Sequence, residues 1–168
     1  MSVDTALQKL ETTGRPIRVG MVGAGATGRA IALQLGTPVP GMRLVGIANR
    51  TPEHGERAFR EAGFERWSLA DSAHAAEAAI ARGVPVLTDN PAVLAECGAI
   101  DILLEVTGTV EPAARVVLDA FDHGKHVVLV LYQITVFVMV DYLESSPGYN
   151  RFGSWLRVYR AEDSDNHK

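Results

Sequence analysis

The segment Gly23-Ala24-Gly25-Ala26-Thr27-Gly28 joins an almost unbroken apolar run, "IRVGMVG" (17–23), to a stretch with helical spacing over roughly 26–36. The run suits a strand covered on both faces. In the stretch that follows, Ile31, Leu33 and Leu35 are among the apolar residues. Glycine at 23 permits a tight turn off the strand, and glycine at 28 lets the new helix pack closely on that strand. Glycine at 25 keeps the loop free of a Cβ where another group approaches it. A strand that turns this sharply into a helix opens a βαβ unit, and such units build parallel sheets.

The rest of the chain continues the alternation. Strands are predicted over 42–49 ("MRLVGIAN"), 84–88, 100–106 and 126–130, with "TPVPG" (37–41) turning the chain before the first of them. A helix over about 52–62 has Thr51 as N-cap, Pro52 at its first position and Gly63 as its stop. The alanine-rich "LADSAHAAEAAIARG" predicts a helix across 69–83, and Asp89 or Asn90 before Pro91 repeats the capping pattern. "TVEPAARVVLDAFDHG" places Val110, Ala114, Val117, Leu118 and Phe121 on one stripe of a further helix that Gly124 ends. At the N-terminus, Ala6, Leu7 and Leu10 share one side of a short amphipathic helix closed by Gly14 and Pro16. The fold class is therefore α/β, a doubly wound parallel sheet of the Rossmann kind.

Bulk properties narrow the partners. With 168 residues, 47% apolar and 21% charged, the chain has the size and composition of one soluble domain. A net charge of −4 offers no field for nucleic acid or anionic lipid. The lone Cys97 allows neither an internal disulfide nor a two-cysteine metal clip, and no metal site is expected. The N-terminus lacks the apolar core of a signal peptide. The apolar run 127–140 is broken by Tyr132, Gln133 and Thr135 and falls short of the ~18–20 residues of a spanning helix. A cytoplasmic protein with no membrane role is the expectation.

A GxGxxG between strand and helix within a unit of about 30 residues is a dinucleotide fingerprint. Amides at the helix start face a diphosphate, aided by the helix dipole. Gly23, Ala24, Gly25, Ala26, Thr27 and Gly28 are the candidate phosphate-binding residues. The second strand closes on Asn49, Arg50 and Thr51, where an NAD-binding site usually carries an acid for the ribose hydroxyls. With no acid here and an arginine able to pair with a 2′-phosphate, NADP is favoured, NAD remaining an option. At the end of the fourth strand, Thr107, Gly108 and Thr109 are placed to line the nicotinamide ribose; capping of the next helix by a threonine is the alternative. Glu105, a carboxylate in an apolar strand, needs a partner if buried, such as a backbone N–H of a neighbouring loop.

Catalytic residues stay unassigned. His123, Lys125 and His126 start the fifth strand, on the wrong edge of the sheet, and read as surface residues; His54 and His74 read as solvated on outer helices. A short-chain type tyrosine needs lysine four positions on, yet Tyr132, Tyr142 and Tyr149 are followed there by Val136, Ser146 and Gly153. Ser154 and His167 have no motif around them.

The runs "RPIRVGMVGAGATGRAIALQL", "IANRTPE" and "IDILLEVTGTVEPAARVVLDAFDHGKHVVLV" resemble the cofactor domain of homoserine dehydrogenase-like NAD(P)-dependent oxidoreductases, most of all a bacterial branch with a DRL-like catalytic domain often joined to a SAF domain. The resemblance covers roughly residues 5–130, and "LLEVTG" with "GKHVVLV" is its most specific part. It implies hydride transfer, with a polar loop after the fifth strand meeting nicotinamide and substrate, followed by a larger catalytic half. Leu131-Tyr132-Gln133 stands where that loop should begin. The expected organisation is a cofactor domain over 1–130 and an atypical apolar and aromatic tail over 131–168 in place of the catalytic half. The tail is expected to break near Tyr132, to form a strand or helix over 134–143, to turn at 145–148, to add an edge strand within "RFGSWLRVYR", and to end in disorder. The leading expectation is the NADP-binding half of an oxidoreductase; a non-catalytic nucleotide-sensing or interaction module and a defective fragment are the alternatives. Assembly into a homo-oligomer is left open.

Overall fold

Each helix among the described residues begins or ends where a local group satisfies its backbone. In α1 (Val3–Thr12) the Ser2 hydroxyl accepts from the Thr5 amide at 3.3 Å, and Gly14 turns the chain away at φ +67°. Strand β1 (Ile17–Val22) leads through the glycine loop into α2 (Ala26–Gly36), and β2 (Met42–Ala48) leads into α3 (Pro52–Glu61), which starts on proline. Then follow β3 (Ser68–Leu69), α4 (Ala73–Ala81), β4 (Val86–Thr88), α5 (Pro91–Glu96), β5 (Ile102–Glu105), α6 (Val110–Asp122) and β6 (His126–Leu129). The structure, a computed structural model, describes residues 2–37 and 39–130, so every expectation for 131–168 lies outside the described residues.

The strands form one parallel sheet in the order β3-β4-β2-β1-β5-β6. From β1 the chain goes to one side, laying β2 beside it, β3 at the far edge and β4 between those two, then crosses to the other side for β5 and β6. This reversal puts a topological switch point between β1 and β5, above whose carboxyl ends open α/β sheets bind ligands.

Alternate side chains of the same strands feed two cores. Met21, Ile47 and Leu87 point to the layer of α2 and α3, where they meet Ala32, Ala58 and the fully buried Phe59. Phe59 stacks on Trp67 with ring centroids 5.6 Å apart and meets Phe64 edge-on at 5.2 Å. Val22, Ala48, Val86 and Leu103 face the opposite layer, against Ala76, Ala79, Leu94, Val116 and Ala120 of α4, α5 and α6. Helices on both faces make the sheet doubly wound, as the apolar strand runs predict.

Three expectations are corrected. The helix predicted from residue 69 starts at Ala73, because Ser72 caps it through the Ala75 amide and Ser68–Leu69 instead pair with β4 as a sixth strand. The residues α6 buries fully include Ala113, Val116, Val117 and Ala120; of the predicted stripe Val117 is buried, while Ala114, Leu118 and Phe121 are half-buried. So much of that helix is apolar that spacing alone does not fix which side turns inward. Lys125 is buried: its ammonium donates to the carbonyls of Cys97 at 2.6 Å and Ile100 at 3.1 Å, whereas His123 and His126 are exposed as expected. Burial pushes the Lys125 pKa down and the Cys97 thiol up.

Candidate functional site

At the carboxyl edge of the sheet, β1 ends in a turn that only glycine accommodates. Gly23 has φ +104°, a region that other residues avoid. A Cβ on it would also lie 3.0 Å from the Thr107 nitrogen. Its own N–H donates to the Ala48 carbonyl at 2.8 Å, tying the turn to the end of β2. The Ala24 amide is held at 2.9 Å by the Asn49 Oδ1, and the Asn49 Nδ2 donates to the Thr51 carbonyl at 2.7 Å. The Asn49 amide thus braces the glycine loop against the start of α3.

The first turn of α2 lies tight on this loop. A Cβ on Gly28 would stand 2.4 Å from the Gly23 carbonyl oxygen, so no larger residue fits while the helix keeps its place. Gly25 is the opposite case. It occupies the N-cap position at φ −69°, its face is exposed, and an added Cβ would meet nothing within 4 Å. Among the described residues no side chain caps α2, which leaves amides of its first turn without intrahelical partners.

A cleft of about 510 Å³ opens here, lined along one wall by Gly23, Ala24 and Gly25, by Ala48, Asn49, Arg50 and Thr51 after β2, and by Glu105, Val106, Thr107 and Thr109 after β5. Of the residues singled out in the sequence, these come together. Ala26, Thr27, Gly28 and Gly108 do not line the cleft: Ala26 and Thr27 are exposed in the first turn of α2, Gly28 is buried beneath the loop, and Gly108 turns at φ +71° between the threonines.

The carboxyl end of β5 is polar in an ordered way. Glu105 is fully buried, and its Oε1 accepts from the Thr107 amide at 3.0 Å and from the Thr107 hydroxyl. The backbone partner expected for this carboxylate is therefore the loop two residues on. Its Oε2 is buried without a partner. Thr109 occupies the N-cap position of α6, yet its hydroxyl bonds to the Thr107 hydroxyl at 2.8 Å and makes no cap bond. Thr51 likewise stands at the N-cap position of α3 without a side-chain cap.

Sequence reasoning missed His54 and Asp89, which also line the cleft. Both are exposed, as His54 was expected to be, but the first turn of α3 and the end of β4 bring them to the rim beside Arg50. Only the sheet order, with β4 next to β2, reveals that Asp89 follows a strand neighbouring the Asn49–Arg50 turn. Arg50 is exposed and makes no ion pair among the described residues.

Residues 23–131 match the family model described as homoserine dehydrogenase, NAD binding domain. The homoserine dehydrogenase of Mycobacterium leprae is 48% identical over 52 residues, which make up 30% of this chain and 12% of that enzyme. Among solved structures, a homoserine dehydrogenase from Thiobacillus denitrificans superposes with a TM-score of 0.50 at 28% identity, over 69% of this chain and 23% of that one. Myo-inositol dehydrogenase from Lactobacillus casei, in complex with NAD(H) and myo-inositol, superposes with a TM-score of 0.51 at 22% identity, over 68% of this chain and 28% of that one. The second likeness is one of fold. The chain spans about an eighth to somewhat over a quarter of the length of these relatives.

Proposed function

The chain belongs to the family of homoserine dehydrogenase NAD-binding domains, and from that footing we propose that its cleft holds NADP(H) as the cofactor half of an oxidoreductase. A nicotinamide dinucleotide as ligand agrees with the family. The observation that carries it is the uncapped start of α2 above the open face of Gly25, at the switch point between β1 and β5. An anion placed there meets amide donors and the positive end of a helix dipole.

In this reading Gly25, Ala26 and Thr27 receive the diphosphate, while Gly23, Ala24 and Gly28 set the shape of the loop that does so. Asn49 acts indirectly, since its side chain is already committed to Ala24 and Thr51. Arg50 and His54 face the adenosine ribose and favour a 2′-phosphate, against which Asp89 acts from the end of β4. Thr107, Gly108 and Thr109 take the nicotinamide side. When bound, the cofactor supplies a hydride donor or acceptor; the chain's own residues orient it and shield it from water.

Titration of NADPH and NADH fluorescence against the protein tests this. The expected result is saturable binding of both, with NADPH tighter by about tenfold, a difference of about 1.4 kcal/mol. Failure of both to bind at millimolar concentration would overturn the reading.

A further inference from the structure

The turn after β2 and the first turn of α3 fold onto each other, since the His54 amide donates to the Thr51 carbonyl at 3.1 Å. The exposed His54 thereby stands in the wall of the cleft with Arg50 and Thr51, and Asp89 enters the same rim from the end of β4. His54 makes no ion pair among the described residues. The other charged groups on the elements around it are turned to different partners or lie off the cleft. Glu53 and Arg57 flank it on α3, and neither lines the cleft. Arg57 is drawn to Glu61 at 2.6 Å, and Arg29 of α2 is held by the same carboxylate at 3.1 Å. Glu105, at the end of β5, is buried against Thr107.

At the rim itself one fixed cation, Arg50, stands against one carboxylate, Asp89. Their charges oppose each other, so the histidine decides the sign of the rim. A histidine side chain gains or loses its charge between about pH 5 and 8. The hydroxyls of a plain ribose respond little to that change. A 2′-phosphate, with a charge of about −1.5 to −2 near neutral pH, responds strongly. By linkage, a ligand that prefers the protonated form takes up a proton as it binds, and its affinity rises as pH falls.

We propose that His54 couples the choice between the two cofactor forms to pH. Protonated, it adds a second cation beside Arg50 and draws in the 2′-phosphate; neutral, it leaves Arg50 and Asp89 to offset each other, and NADPH loses its advantage over NADH. The inference rests on the reading of the cleft as an NADP(H) site and goes beyond it by making the preference adjustable. The cleft then takes NADPH on the acid side of neutrality and approaches equal use of the two forms on the alkaline side.

Calorimetric titration of NADPH and NADH, in buffers of low and high ionisation enthalpy, tests it by counting protons. NADPH should bind wild-type protein with net proton uptake and NADH with none, and the ratio of NADPH to NADH affinity should fall about fivefold or more from about pH 6.5 to 8.5. The phosphate's own ionisation works the other way, because a site that selects the dianion releases a proton; uptake therefore identifies the histidine. His54→Gln, at an exposed position, should abolish the uptake and hold the ratio within about twofold across that range. His54→Lys, charged throughout, should keep the preference for NADPH with no pH dependence. Proton release or no exchange on NADPH binding, a ratio that does not change with pH, or uptake that persists in His54→Gln would overturn the proposal while the dinucleotide reading stands. Binding of neither nucleotide by the wild-type protein would remove both.

Discussion

Of the cleft's side chains, Arg50 most directly separates the two forms of the cofactor. It is an exposed guanidinium without an ion-pair partner among the described residues, and Asp89 stands on the same rim. A guanidinium pairs well with a phosphate dianion, and a nearby carboxylate weakens that attraction. Arg50→Ala should lower NADPH affinity about tenfold and leave NADH within about twofold, and Asp89→Asn should raise NADPH affinity a few-fold. Equal losses for both nucleotides in the fluorescence titration would show that Arg50 acts on something other than the 2′-phosphate. At this scale the sequence was legible where chemistry depends on neighbours along the chain, as in the glycine loop and the Asn49–Arg50 turn. It was silent on His54 and Asp89, whose place at the cleft depends on which strands lie side by side.

Between elements, the edge of the sheet opposite the cleft is held by polar ties that cross from strand to strand. Arg18 at the start of β1 grips Asp101 just ahead of β5 with two side-chain bonds, at 3.0 and 2.8 Å, and its backbone amide adds a third at 2.8 Å. The hydrogen bonds from Arg18 hold the Asp101 carboxyl below the usual aspartate range. A carboxylate depressed in the folded state adds stability above its unfolded pKa, near 3.9, and loses it as pH falls through the folded value. Because both side chains are about 40% exposed, solvent screening limits the contribution to about 0.5–1 kcal/mol. Thermal melts of Asp101→Asn should show a lower Tm than wild type at pH 7, with the gap closing below about pH 3.9. A gap unchanged by acid would rule out the ion pair as its source. The buried Lys125 belongs to the same edge, and its seat on two carbonyls of the α5–β5 connection was invisible in a sequence that places it between an exposed Gly124 and His126.

For the molecule as a whole, the doubly wound parallel sheet was legible from alternating apolar runs and capped helices, because strands buried on both faces and helices bounded by proline and glycine leave a strong local record. The two-residue β3 left none, since so short a strand has no period, and the inward face of α6 was hidden by a surplus of apolar residues. The switch point between β1 and β5 is a property of the assembled sheet, yet the glycine loop that marks it was visible first. The fold and the cleft meet at Gly25, where the protein leaves open a space that its own packing does not need. Gly25→Val should therefore still fold, losing no more than the about 1 kcal/mol that valine costs at an N-cap position, while NADPH binding by fluorescence titration falls below detection. Undiminished NADPH affinity in that variant would contradict the account.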